Sequence, residues 1–184
     1  MGLNTLSLAH DFIRRHVQPG AHCIDATAGR GRDTALLCEL AGASGRVWAF
    51  DIQQSAIDQT NALLASRDLS AEVILDSHVN MAQYVPPESI DCIVFNFGRL
   101  PGGDPNIFTT PDASIQAVET GLSLLKPGGV MSLSLYYGGA NGYEERDALL
   151  EYFRTIDDHK YSVLTCDWAN RKNDPPIPVF LWRA

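Results

Sequence analysis

The fold follows from residues 22–51, with the sequence HCIDATAGRGRDTALLCELAGASGRVWAFD. This stretch opens with an apolar run at 22–25, passes through a glycine-containing turn and continues into a helical pattern at 34–40. A second apolar run at 46–51 follows and ends in an aspartate. Two strands joined by a helix run parallel, because a parallel connection needs a crossover of about a dozen residues or more. We therefore predict a strand–turn–helix–strand unit, the building block of a parallel sheet.

The same alternation extends to both sides of this unit. An amphipathic helix between Leu6 and Val17 precedes it. Further helices are predicted at 55–64, 112–125 and 143–156, and further strands at 73–76, 90–97, 130–137, 161–168 and 179–182. The last two strands have no helix between them, so we expect them to be antiparallel. We predict a Rossmann-like α/β fold: a seven-stranded, mostly parallel sheet with an antiparallel last strand and helices on both faces. This arrangement is similar to that of class I S-adenosylmethionine-dependent methyltransferases.

Length and composition favour a single domain spanning residues 1–184. The chain has 184 residues, of which 45% are hydrophobic and 20% are charged. These fractions are those of an ordinary globular protein and exclude disorder as the overall state. The net charge of -8 argues against a protein that coats polyanions in general, although a local basic rim stays compatible with it.

The cysteines and the N-terminal residues indicate a cellular compartment. Cys23, Cys38, Cys92 and Cys166 contain no C-x-x-C pair, so we expect reduced thiols and no bound metal. The first residues lack the basic segment and apolar core of a signal peptide. No apolar stretch approaches the roughly 18 residues of a membrane span. We therefore expect a cytoplasmic protein with no membrane partner.

Candidate ligand-binding residues follow three successive strands, where open α/β sheets bind their ligands. They are Thr27, Gly29, Arg30, Gly31 and Asp33 after the first strand, Asp51, Ile52 and Gln53 after the second, and Asp76, Ser77 and His78 after the third. Glycines in the first turn let the backbone approach a ligand closely. The turn is a poor dinucleotide fingerprint, because Thr34 stands where that motif needs a third glycine.

Asp51 is the most informative of these residues. It follows the glycine turn by about 20 residues, where a carboxylate can accept hydrogen bonds from both ribose hydroxyls. S-adenosylmethionine has both hydroxyls free, Ile52 can cover its adenine, and Asp33 can bind its ammonium group. Simpler interpretations stay open for each residue alone, namely a helix cap for Asp33 or Asp51 and a loop position for His78.

Seven motifs together carry a family resemblance. They are DATAGRGRDT at 25–34, FDIQQSAIDQT at 50–60, DSH at 76–78, FNFGRLPGGD at 95–104, LKPGG at 125–129, YYGG at 136–139 and NRKNDPP at 170–176. With them the chain resembles the small class I methyltransferases known as "putative rRNA methylases". Members of the MnmM type convert 5-aminomethyl-2-thiouridine at the tRNA wobble position to its methylaminomethyl form. The resemblance covers nearly the whole chain.

The resemblance implies a cofactor, a substrate and a catalytic residue. The cofactor is S-adenosylmethionine, and the substrate is tRNA, bound through its anticodon stem-loop. Asn96, at the end of the fourth strand, is the expected catalytic residue, because its side-chain carbonyl can orient an amine with help from the backbone carbonyls of Phe97 and Gly98. Substrate contacts are expected from Gly98, Arg99, Tyr136, Tyr137, Arg171 and Asn173.

The chain departs from the family pattern at three places. The family usually has asparagine at the position of Arg30 and tyrosine at the position of Arg99, and Arg171 and Lys172 interrupt its C-terminal motif. The last two departures fall where the substrate is expected.

The expected chemistry is a displacement that mainly needs alignment of the two reactants. An alkylamine has an ordinary pKa of about 10.4, so the site must favour its neutral form. The acidic net charge favours two rivals, a methyltransferase acting on a small molecule or one acting on rRNA. The sequence leaves open whether the protein forms a homodimer.

Overall fold

The computed structural model describes residues 2–98, 109–137 and 142–184. Helices α1 to α5 are Thr5–His16, Arg32–Ala41, Gln54–Ser66, Pro111–Leu124 and Gly142–Phe153. Strands β1 to β7 are His22–Asp25, Arg46–Asp51, Glu72–Leu75, Ile90–Phe97, Leu125–Leu135, Tyr161–Thr165 and Ile177–Arg183. A short 3₁₀ helix covers His78–Gln83. Each helix and strand predicted from the sequence is present.

The seven strands form one sheet in the order β3-β2-β1-β4-β5-β7-β6. Strands β1 to β5 pair in parallel. Strand β7 lies between β5 and β6 and is antiparallel to both. The predicted fold class is confirmed, including the antiparallel last strand. That strand reverses direction because residues 166–176 join it to β6 without a crossover helix.

Both faces of the sheet are covered by helices. Successive side chains of a strand point to opposite faces. On β4, Ile93 and Phe95 belong to one buried core, whereas Cys92 and Val94 belong to another. The first core takes in residues of α4 and α5, and the second takes in residues of α1, α2 and α3. A parallel sheet buried on both faces leaves its strand ends as the place for polar side chains.

Strand β5 starts earlier than the sequence predicts. The LKPGG segment was expected to be a turn before a strand at 130–137, but the strand already begins at Leu125, which pairs with Ile90. The register then shifts between Ile90 and Cys92, because the glycine-containing segment adds residues on one side of the pair. The strand ends at Leu135, so Tyr136 follows it.

Other differences are confined to the ends of elements and to the loops. Strand β6 ends at Thr165 rather than at 168, because Trp168 turns away and its indole N–H donates to the Pro176 carbonyl at 3.3 Å. The loop predicted around Pro101 to Pro105 lies outside the described residues. Three of the four cysteines are buried. No helix within 2–98, 109–137 and 142–184 is long and apolar enough to cross a membrane.

Candidate active site at the carboxyl ends of the strands

The turn after β1 is fixed to the end of β2 by hydrogen bonds. The Gly29 N–H donates to Asp51 Oδ2 at 2.9 Å, and the Gln53 N–H donates to Asp51 Oδ1 at 2.9 Å. The Ala28 N–H donates to the Phe50 carbonyl, also at 2.9 Å. The two features that the sequence places about 20 residues apart are therefore in direct contact.

The Asp51 carboxylate keeps acceptor capacity for a ligand. An ionised carboxylate offers about four lone-pair positions, and the two backbone N–H groups occupy two of them. Asp51 lines a cavity together with Gly29 and Ile52. A vicinal diol that enters this cavity can donate one hydroxyl hydrogen to each carboxylate oxygen, so the donor set suits the ribose of S-adenosylmethionine.

The cavity has a volume of about 370 Å³ and opens at the carboxyl ends of β1 to β5. This volume lies within the range of small-molecule sites, about 300–1,000 Å³. The sequence-predicted residues that line it are Thr27, Gly29, Arg30, Asp33, Asp51, Ile52, Gln53, Asp76, Ser77, His78, Asn96, Gly98 and Tyr136. The structure thus brings together most of the predicted site around one space.

One end of the cavity has an apolar wall and a polar rim. Ile52 is 56% exposed, which leaves a large apolar side chain without protein cover beside the ribose-binding carboxylate. Asp76 lies nearby, and it accepts from the Ser77 N–H at 2.7 Å, from Asn80 at 2.8 Å and from the Tyr84 hydroxyl at 2.8 Å. These bonds lower the pKa of Asp76. An aromatic base placed on Ile52 would have Asp76 and Ser77 at its edge.

His78 forms part of the cavity wall in its neutral state. Its ring packs edge to face against Phe97, with ring centroids 6.0 Å apart, and against Phe95. Burial lowers the pKa of His78. This packing makes the ring a rigid wall rather than a mobile loop side chain.

Asp25 is a buried acid beneath the glycine turn that the sequence analysis did not single out. It accepts from the Thr34 hydroxyl at 2.6 Å and from the Thr27 N–H at 3.2 Å. Burial, and after it the charge of Asp33, raises the pKa of Asp25 to about 7. Its position as the first residue of the DATAGRGRDT motif was the available signal, but only the structure shows its complete burial.

Asn96 is held by two neighbours at the other end of the cavity. Its backbone N–H donates to Thr27 Oγ1 at 2.7 Å. Its side-chain amide donates through Nδ2 to Asp33 Oδ2 at 2.8 Å. Because the amide nitrogen is directed at Asp33, the carbonyl oxygen Oδ1 is the part of the side chain that can accept a hydrogen bond from a ligand.

The neighbouring backbone carbonyls already serve the structure. The Phe97 carbonyl accepts from the Tyr136 N–H at 3.0 Å, and the Gly98 carbonyl accepts from the Thr109 N–H at 3.2 Å. A Cβ at Gly98 would lie 2.8 Å from the Tyr136 carbonyl oxygen, so this close approach requires glycine. Asn96 Oδ1 is therefore better placed to accept from a substrate than the two carbonyls expected to help it.

Four predicted residues do not line the cavity. Gly31 packs against α3 instead, and Tyr137 is buried beneath Tyr143 and Arg146. Tyr136 and Tyr137 are adjacent in extended chain, so only one of the two side chains can face the cavity. The other two belong to the β6–β7 loop and are described below.

The β6–β7 loop packs against α1 rather than against the cavity. The Arg171 guanidinium lies over the Trp168 ring at 3.8 Å from its centroid and bonds to the Leu3 carbonyl. Asn173 is exposed in the same loop. Arg99, the remaining predicted substrate contact, lies outside the described residues.

Helix α1 contributes two residues that the sequence analysis missed. Leu6 lines the cavity and is 42% exposed. His10, one helical turn later, bonds through Nε2 to Asp33 Oδ1 at 2.7 Å. The four-residue spacing was visible in the sequence, but nothing in it placed this face of the helix at the strand ends. Within the described residues, no group of three or more histidine, cysteine or acidic side chains could hold a metal ion.

Comparison with known proteins agrees with this geometry. Residues 47–181 match the family model described as "Putative rRNA methylase". The chain is 34% identical over 187 residues to an Arabidopsis thaliana protein named "tRNA (mnm(5)s(2)U34)-methyltransferase, chloroplastic", and the match covers 96% of this chain and 68% of that relative.

Solved structures superpose over the full chain. One is a "putative rRNA-methylase" from Clostridium thermocellum, with a TM-score of 0.97, 39% identity and complete coverage of both chains. Another is a methyltransferase from Streptococcus mutans in complex with SAH, with a TM-score of 0.90, 31% identity and complete coverage of both chains.

Proposed function

This chain belongs to the "Putative rRNA methylase" family, and on that premise we propose that it methylates the aminomethyl nitrogen of wobble 5-aminomethyl-2-thiouridine in tRNA. It is an S-adenosylmethionine-dependent methyltransferase, as its family and its SAH-bound neighbour indicate. The observation that carries the finer proposal is the Asn96 side chain, fixed by Asp33 with its carbonyl available to a nitrogen nucleophile. The name of the Arabidopsis relative supports the same substrate.

The residues around the cavity fit S-adenosylmethionine. Asp51 would hold the ribose hydroxyls, Ile52 would cover the adenine, and Asp76 and Ser77 would meet its edge. Asp33 would accept from the ammonium group of the amino-acid part. The bound cofactor supplies an electrophilic methyl group on a sulfonium.

The chain itself supplies alignment and a suitable proton state for the acceptor. Asn96 Oδ1 would accept one N–H of the amine and so direct the nitrogen lone pair into the cavity. The apolar surfaces of Phe97 and Tyr136 exclude water around it. Removal of water disfavours the charged ammonium form, which has no lone pair with which to attack. The proton leaves before methyl transfer, and the nitrogen becomes positively charged again when its bond to the methyl carbon forms.

Two exposed cations support RNA as the partner despite the acidic net charge. Arg30 and Arg32 both line the mouth of the cavity and are exposed. Screening at physiological ionic strength limits the reach of a charge to about 8 Å. A phosphate at the mouth therefore responds to these arginines more than to the net charge of the whole chain.

Nucleoside analysis of cells with and without the protein tests this proposal. Cells that lack it should accumulate the aminomethyl nucleoside in tRNA, and the wild-type gene should restore the methylated form whereas an Asn96→Ala gene should not. Unchanged tRNA with the loss of a methylated rRNA nucleoside would overturn the proposal in favour of rRNA. Unchanged tRNA and unchanged rRNA would overturn it in favour of a small molecule.

A further inference from the structure

We propose that His10 is a positioning residue for methyl transfer, acting through Asp33 on the orientation of Asn96. The proposal rests on the proposed role of Asn96 in presenting the acceptor nitrogen. His10 does not line the cavity, so it acts from behind the residues that do.

The three side chains form a continuous chain of hydrogen bonds. His10 Nε2 lies 2.7 Å from Asp33 Oδ1, and Asn96 Nδ2 lies 2.8 Å from Asp33 Oδ2. A carboxylate only accepts, so His10 must carry a proton on Nε2, and Asn96 must turn its amide nitrogen toward Asp33. With both oxygens engaged from opposite sides, the Asp33 carboxylate cannot rotate without breaking a bond.

Burial makes this arrangement specific. The Asp33 side chain is 13% exposed and the His10 side chain is 26% exposed. A partly dehydrated carboxylate that loses one partner is costly to leave unpaired, and its remaining bonds rearrange. An asparagine whose amide is not held can turn its nitrogen toward the substrate, and that nitrogen has no acceptor for an amine N–H.

Helix α1 is anchored well enough to impose the position of His10. Its first turn is closed by a capping box between Asn4 and Ser7. The Thr5 hydroxyl donates to the Pro176 carbonyl at 2.6 Å. Further along, Phe12 stacks on Phe180 with ring centroids 4.4 Å apart. The helix is thereby tied to the C-terminal hairpin on both sides of His10.

The alternative is an ion pair that only fastens α1 to α2. In that case His10→Ala would lower stability, but its effect on turnover would not depend on Asn96. A double-mutant cycle separates the two cases, because residues that act in one chain are not additive. His10→Gln is the conservative variant, since its amide N–H can replace the donor at Nε2.

The kinetic test compares turnover of an aminomethyl-bearing tRNA by four proteins: wild type, His10→Ala, Asn96→Ala and the double variant. We expect His10→Ala to lower kcat about ten- to hundredfold with little change in the KM for S-adenosylmethionine, and His10→Gln to recover most of it. In the Asn96→Ala background, His10→Ala should cost less than about twofold. Equal losses in both backgrounds would overturn the proposal.

A control and a second readout keep the test independent of the substrate. His16→Ala removes another α1 histidine, whose ring bonds to Phe12 and Trp182 outside the cavity, and should leave kcat unchanged. Without tRNA, the Asn96 side-chain amide signals in a ¹⁵N NMR spectrum should shift in His10→Ala and return in His10→Gln. Unmoved signals would overturn the proposal, whereas wild-type protein inactive on tRNA but with shifting signals would overturn only the proposed function.

Discussion

The backbone N–H of Gly29 donates to Asp51 Oδ2 across 2.9 Å, which ties the glycine turn after β1 to the carboxylate at the end of β2. The turn and the carboxylate therefore move as one rigid unit. A ligand that binds Asp51 lies at a fixed distance from the turn, and its far end is directed toward β4.

Asp51→Ala should weaken binding of S-adenosylhomocysteine by about 1.5–3 kcal/mol, the scale of hydrogen bonds to a charged group. Isothermal titration calorimetry measures the change. Asp58→Ala, which removes an exposed carboxylate from α3, is the matched control and should bind as the wild type does. Unchanged affinity in Asp51→Ala would remove this residue from the ribose site.

Asn96→Ala should slow turnover about a hundredfold, because the acceptor nitrogen loses its alignment, while the affinity for S-adenosylhomocysteine changes little. Single-turnover kinetics and calorimetry measure the two quantities. Asn61→Ala, at an exposed position of α3, controls for the loss of an amide. A variant with wild-type turnover would exclude Asn96 from the mechanism.

Asp25 should make stability fall as pH rises. Its pKa is raised from 3.8 to about 7 in the folded state, so the folded protein binds more protons than the unfolded chain across that interval. The stabilising protonated form is complete below the unfolded pKa and is lost as pH rises through the folded value. The difference in unfolding free energy between wild type and Asp25→Asn should therefore decrease from about pH 4 to about pH 8. Urea unfolding at several pH values measures it, and a difference that does not vary with pH would contradict the assignment.

Binding of an anticodon stem-loop should be weak and sensitive to salt. Arg32→Ala should lower the affinity and reduce the slope of log K against log salt by about one, because one phosphate contact is lost. Fluorescence anisotropy at several salt concentrations measures the slope. Arg154→Ala, at an exposed position near the end of α5, is the control and should leave the slope unchanged. A wild-type slope of zero would argue against RNA as the substrate.

Gly31→Ala should destabilise the fold more than an alanine at another glycine of positive φ. A Cβ at Gly31 would lie 2.9 Å from the Thr60 Cα, and the residue has a φ of +73°. Gly128 has a φ of +79° but open space around it. We expect Gly31→Ala to cost about 1–3 kcal/mol more than Gly128→Ala, measured by urea unfolding. Equal costs would show that the contact between α2 and α3 relaxes freely.

Most of the fold could be predicted from local patterns. Apolar runs and glycine stops define β1, β2 and β4 to the residue, because a strand buried on both faces must be apolar throughout. The start of β5 could not be predicted, since its first residues pair with β4 only after a register shift that depends on tertiary contact. The same limit applies to the end of β6, which the packing of Trp168 determines.

The candidate site was predictable where its residues follow the strands directly. Asp51, Ser77 and Asn96 reach the cavity because parallel strands end at one edge of the sheet. His10 and Asp33 are 23 residues apart and meet only through the packing of two helices, so no local pattern predicts their contact. Arg171 shows the converse, because its sequence motif suggested a substrate contact and its ring contact holds it on Trp168.

Identification of the methylated atom is the most direct test of the central claim. Purified protein would be incubated with tRNA bearing 5-aminomethyl-2-thiouridine and with S-adenosylmethionine labelled in its methyl group, and the nucleosides analysed by mass spectrometry. The account predicts one labelled methyl on the aminomethyl nitrogen, and none in tRNA that lacks the aminomethyl group. A label on another atom, or no label from protein that binds S-adenosylhomocysteine, would contradict it.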